Sequence, residues 1–126
     1  MKTPELTPAA VQAIIDLGKL SLSFGGVNRI TCYPDGLTPE SDTDHTVMLG
    51  LVACSFAERF APELDRGKIA QFALVHDLVE VYAGDTATAH IMSDADQVGK
   101  EEREAAALVR IRKEFDTELP WIGETI

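Results

Sequence analysis

Thiols, basic side chains and long apolar runs are all scarce in this sequence, and each scarcity excludes something. The two cysteines, Cys32 and Cys54, form no Cys-x-x-Cys arrangement, which argues against both a disulfide framework and a thiolate-bound structural zinc. Such a chain suits a reducing compartment, and cytoplasmic residence is the expectation. Lysine and arginine together number 11 against 21 aspartates and glutamates, a net charge of −10. No basic patch is available to release counterions from a phosphate backbone, so nucleic acid is not an expected partner. No apolar run approaches the ~20 residues that cross a bilayer, and the amino-terminal stretch Met1-Lys2-Thr3-Pro4-Glu5 contains no signal-like apolar core. A membrane partner is not expected.

What remains is ordinary globular composition. The 126 residues are 45% hydrophobic and 25% charged, consistent with one domain over residues 1–126. Chains near this size bury roughly two thirds of their unfolded surface, enough for a true core. No repeat or low-complexity tract is present.

The apolar periodicity is helical throughout. Thr7-Pro8 reads as a cap and first-turn pair, followed by Val11, Ile14, Ile15, Gly18 and Leu22 at helical spacing. Residues 23–44 form a long connection with Gly25-Gly26, Pro34-Asp35-Gly36 and Pro39; a connection of about 20 residues is usually functional. A second helix begins near Ser41–Asp44 with His45 in its first turn. Val47, Met48, Leu51, Val52, Cys54 and Phe56 make it apolar on much of its circumference, which predicts burial within a bundle. A third helix is expected from about Asp65 to Tyr82, stopping at Gly84. A fourth should run from Asp94–Asp96 to about Phe115, with Val98, Ala105, Leu108, Val109 and Ile111 facing inward and Glu101–Glu104 in solvent. No segment alternates convincingly at period two. The expected fold is all-α.

The chemistry concentrates in His76-Asp77-Leu78-Val79-Glu80-Val81-Tyr82-Ala83-Gly84-Asp85, with His45 upstream in Ser41-Asp42-Thr43-Asp44-His45-Thr46. Two separated histidines and an adjacent aspartate make an incomplete ligand set for a divalent cation. Neutral imidazoles with carboxylates suit Mn, Fe, Co, Ni or Zn and, with enough oxygens, Mg. Glu80, at i+4 from His76, should project from the same helix face, where a carboxylate could orient or deprotonate a water. Packed neighbouring helices commonly build metal sites in this way. His90, Cys32 and Cys54 read more simply as a loop residue, a loop thiol and a packing residue. Trp121 could anchor the tail or belong to a subunit interface.

Taken in order, Asn28-Arg29, Pro39-Glu40-Ser41, Asp44-His45, Ala73-Leu74-Val75-His76-Asp77, Glu80 and Gly84-Asp85 resemble the HD-domain metal-dependent phosphohydrolases, and more narrowly their 5′-deoxynucleotidase branch. The resemblance spans residues ~11–115. It implies an HD-domain helical bundle that removes phosphate from deoxynucleoside 5′-monophosphates with a divalent cation, and relatives tend to pair as homodimers. It further implies that His45, His76 and Asp77 ligate the metal and that Glu80 activates or positions the attacking water. Arg29 would hold the substrate phosphate through its planar guanidinium, and Asp85 would face the sugar. Two departures stand out. Ile30 follows the arginine where the family often has an aromatic. The family's fourth ligand, an aspartate roughly fifty residues beyond the His-Asp pair, has no counterpart before Ile126, so the domain is expected to be shortened at its carboxyl end. Asp94 and Asp96 are better explained as caps, and Asp116 or a partner subunit is the available substitute. Two alternatives stand beside the nucleotidase: an HD-fold hydrolase of another phosphate ester or a nucleoside triphosphate, and a non-catalytic helical module that binds metal or nucleotide.

Overall fold

A computed structural model describes residues 3–83 and 94–126, with side chains in the last long helix described from residue 97 onward. The expected helix stop at Gly84, Asp85 with its expected place at the sugar, His90, and the side chains of Asp94 and Asp96 lie outside the described residues.

Helix α1 spans Pro8–Phe24. Thr7 caps it by accepting from the Ala10 amide at 3.2 Å, and the proline at the first helical position needs no amide partner. The connection that follows is not irregular throughout. It folds into an antiparallel hairpin of β1 (Asn28–Cys32) and β2 (Pro39–Ser41), pairing Asn28 with Ser41 and Cys32 with Pro39. The other regular elements among the described residues are all helices, so the hairpin corrects the expectation of no strand without changing the class. Its turn is made by Asp35, whose carboxylate accepts from the Leu37 and Thr38 amides at 2.8 and 2.9 Å, and by Gly36 at φ 70°. Pro-Asp-Gly is a turn signature, but strands of five and three residues are too short to display a period.

Helix α2 spans Asp42–Phe60 and opens on a capping box, in which Ser41 and Asp44 satisfy each other's backbone amides. The Asp42 amide also donates to Val27 O at 2.9 Å, tying the helix start to the hairpin. Helix α3 runs over Arg66–Val75 from an Asp65 cap, α4 is the single turn Glu80–Ala83, α5 spans Asp94–Phe115, and α6 spans Trp121–Thr125.

The third helix expected over Asp65–Tyr82 therefore divides. After His76 the amides of Leu78, Glu80, Val81 and Tyr82 bond three residues back rather than four. Such tightened turns carry about three residues each and eclipse side chains at i and i+3. This places Asp77 with Glu80, where a regular helix would have placed His76 with Glu80.

The core is one cluster of Leu20 and Phe24 from α1, Val75, Leu78 and Val79 from the α3–α4 region, Ala107, Ile111 and Phe115 from α5, and Ile122 from α6. Trp121 packs against this cluster and so anchors the tail. The inward set expected for α5 is corrected in part: Ile111 is fully buried, but Val98 and Val109 are 51% and 67% exposed and Ala105 is exposed too. The expectation for α2 is overturned. Its buried residues are Asp42, Thr46 and Ala57, while Val47, Met48, Leu51, Val52 and Phe56 are exposed. The reason is close approach: α2 packs on α3 through small side chains, and a methyl added at Gly50 would lie 3.8 Å from Ala73 Cβ.

Candidate metal centre

Three short pieces of chain meet at one end of α2. The hairpin supplies Arg29 from β1 and Glu40 from β2, the first turn of α2 supplies Asp42 and His45, and the tightened segment after α3 supplies His76, Asp77 and Glu80. Capping explains the α2 contribution. With Ser41 fixed as the cap, Asp42 is the first helical residue and His45 the fourth.

The rings of His45 and His76 approach to 6.0 Å between centroids. Asp77 lies between them, its Oδ2 3.0 Å from His76 Nε2 and 3.8 Å from His45 Nε2. One donor atom from each of the three residues lies within 4.8 Å of the other two. Ligands bound at about 2.1 Å around one ion lie roughly 3–4 Å apart, so the set is close to the spacing that a divalent cation needs.

Neighbours fix which nitrogen each ring presents. His45 Nδ1 is 3.1 Å from Glu40 Oε1, and His76 Nδ1 is 3.1 Å from Ala73 O. Both partners can only accept, so each Nδ1 donates and each Nε2 is turned toward Asp77. A carboxylate behind a histidine is the usual support of a metal ligand. The Phe72 ring, stacked on His76 at 5.4 Å and 25°, steadies it further.

The electrostatics agree with a cation site. The His76 pKa is raised above its ordinary 6.5, first by the hydrogen bond to Asp77 and by its charge, against the opposing effect of burial. For Asp77 burial pulls upward most strongly, yet His76, Arg29 and His45 together leave its pKa lowered. The raised His76 pKa says that its ring favours an added positive charge beside Asp77, and the lowered Asp77 pKa keeps that carboxylate ionised, the form in which it can ligate a metal.

Arg29 is drawn into the same place. Its Nη1 donates to Asp42 Oδ1 and Asp77 Oδ2, each at 3.0 Å, and lies 3.7 Å from Glu80 Oε2, while its Nε is 3.5 Å from Glu40 Oε1. Asp42, Asp77 and Glu80 form a second triad of carboxylates within 4.8 Å of one another. Asp42 is fully buried. Sequence reasoning gives Asp42 no role beyond the start of α2 and does not find Glu40 as the histidine's support. An acidic residue beside a cap signals nothing beyond helix polarity, and only the hairpin reveals the second role. Asp116, the proposed substitute ligand, lies at the end of α5 beside Gly123 and Arg112 and joins neither ligand group among the described residues. Asp44 is occupied by the capping box and by Tyr33 Oη, which donates to it.

No curated protein sequence matches the chain with significance. A crystal structure of a predicted metal-dependent phosphohydrolase from Magnetospirillum magnetotacticum MS-1 superimposes with a TM-score of 0.73 at 25% identity, covering 92% of this chain and 55% of that one. This chain thus spans about half the length of that protein. A protein-family model described as the HD domain matches residues 26–125, nearly all of the chain beyond α1 and including every residue of the cluster described above. The chain belongs to the HD domain family.

Proposed function

We propose that this chain acts as a divalent-metal-dependent phosphohydrolase, with His45, His76 and Asp77 as the metal ligands. One observation carries the reading. Both imidazoles commit Nδ1 to an acceptor, Glu40 and Ala73 O, and present Nε2 to a shared Asp77 oxygen. A histidine kept only for packing needs no such pair of ring nitrogens aligned on one carboxylate and supported from behind. Membership of the HD domain family and the likeness to a predicted metal-dependent phosphohydrolase support the same reading.

A divalent ion bound there supplies Lewis acidity toward a phosphoryl oxygen and lowers the pKa of coordinated water. The mixed nitrogen and oxygen donors suit Mn, Fe, Co, Ni or Zn, with Mg served if further oxygens complete its shell. The protein's own groups do the rest. Arg29 places a permanent positive charge beside Asp77, where it meets the substrate phosphate and stabilises charge gathering on its oxygens. Glu80, 9% exposed at its side chain, holds a carboxylate next to Asp77 for orienting the attacking water or receiving its proton. Asp85 is assigned to the sugar.

The substrate we favour is a deoxynucleoside 5′-monophosphate. The motif order supports it, and the scarcity of cations, 11 in the chain, counts against a triphosphate pocket. The test is release of inorganic phosphate from deoxynucleotides with Mn, Co or Mg, with the Asp77→Asn variant as control. The expected loss in that variant is on the order of a thousandfold or more, since several kcal/mol of transition-state stabilisation leave with the metal. Absence of phosphate release from every monophosphate would discard the nucleotidase assignment, and release of pyrophosphate or triphosphate would move the substrate class.

A further inference from the structure

We propose that Asp42, Asp77 and Glu80 form a second cation pocket beside the His45–His76–Asp77 set, and that Arg29 fills it, so that the centre takes one metal ion rather than two. The inference rests on the metal reading above and extends it to the number of ions. Four observations support it. The three carboxylates each offer an oxygen within 4.8 Å of the others, the same spacing as the histidine set. Asp77 belongs to both groups, as a carboxylate shared between paired metals does in two-metal hydrolases. The Arg29 Nη1 atom contacts the same three residues at 3.0, 3.0 and 3.7 Å, and so stands where an ion bound by them would sit. Finally, Asp42 is 0% exposed and its Oδ2 has no hydrogen-bond partner among the described residues.

That last point separates the pocket from an ordinary acidic cluster. A buried carboxylate oxygen left without a partner is costly, and nothing in the cap of α2 requires it, because Ser41 and Asp44 already complete the box. One guanidinium nitrogen serves the other oxygen, Oδ1.

The guanidinium reaches the pocket from β1, and its Nε is steadied by Glu40. Its charge is permanent, unlike a metal that dissociates at low concentration. Substrate phosphate would therefore face one exchangeable ion and one built-in cation, the latter positioned by Asp42. On this account Asp42 is a positioning residue for Arg29.

The test counts ions. Wild-type protein, Arg29→Ala, Arg29→Gln and the double variant Arg29→Ala/Asp42→Asn are dialysed to equilibrium against saturating manganese, and bound metal per chain is measured. Electron paramagnetic resonance then reports whether bound ions are magnetically coupled. The expected result is one more ion per chain in Arg29→Ala and Arg29→Gln than in wild type, with a coupled signal absent from wild type. The double variant should return to the wild-type count. An unchanged count in both single variants would overturn the proposal, as would a coupled pair in wild type or an extra ion that survives in the double variant. Should Arg29→Ala be too unstable to dialyse, its Tm is read against manganese; the expected rise exceeds that of wild type, and an equal or smaller rise overturns the proposal. Wild type that binds no manganese would sink the metal reading itself, while the difference between wild type and variant still decides this one.

Discussion

The two longest described helices, α2 and α5, treat their apolar residues in opposite ways. Helix α5 sends Ile111 and Phe115 into the core at 0% and 2% exposure and leaves glutamates outside. Helix α2 leaves Leu51, Phe56 and Phe60 outside, 67%, 62% and 69% exposed, and buries an aspartate, a threonine and an alanine. The difference shows that hydrophobic content alone does not select the buried face. Helix α5 is held by bulk against α4 and α6. Helix α2 is held by close approach to α3 and by the polar cluster at its first turn.

The comparison is broken most easily in the core. Ile111→Ala should lower unfolding free energy by about 2–5 kcal/mol, the usual cost of a cavity at a fully buried aliphatic site, as read by urea denaturation. A loss well below that range would mean that α5 is not the anchored partner. At the polar end of α2, Glu40→Gln keeps the shape but weakens the support of His45. Metal affinity measured by calorimetry should fall about 10–100-fold, and an unchanged affinity would remove Glu40 from the site.

A pH titration sharpens the α4–α5 contact. Tyr82 donates to Glu114 Oε2 at 2.7 Å and stacks under Arg110 at 3.7 Å. Burial first, then Glu114, pushes its pKa from 10.0 up to about 12, against the pull of Arg110. The folded state thus keeps a proton that the unfolded chain gives up near pH 10. Stability from this group is complete below pH 10 and declines as pH rises toward 12. Tyr82→Phe should flatten that alkaline decline, and an identical slope between pH 9 and 11 in both proteins would refute the assignment. The smallest effect is expected on the outer face of α2, where Phe56→Ser should change stability by no more than about 0.5 kcal/mol. A cost near that of Ile111→Ala would show that this face is covered in solution.

Much of the helical framework is legible in the order of residues. Thr7-Pro8, Ser41 with Asp44, and the end of α5 at Phe115 appear where sequence reasoning puts them. Caps are satisfied within three or four residues, so the information is local. The break after His76 is less legible, because Leu78 and Val79 fit a regular helix by pattern and turn inward only through core packing. The hairpin is marked only by its turn.

The site divides along the same line. The kinds of donor present, the shortage of cations and the position of His45 one turn into a capped helix follow from the amino-acid sequence. Which carboxylates share a cation does not. Arg29 meets Asp77 across 48 residues and Asp42 across 13, and Glu40 reaches His45 only because a hairpin delivers it. Desolvation and charge pairing depend on what the folded chain brings within a few ångströms. The tertiary structure alone decided that four acidic side chains would gather around one guanidinium.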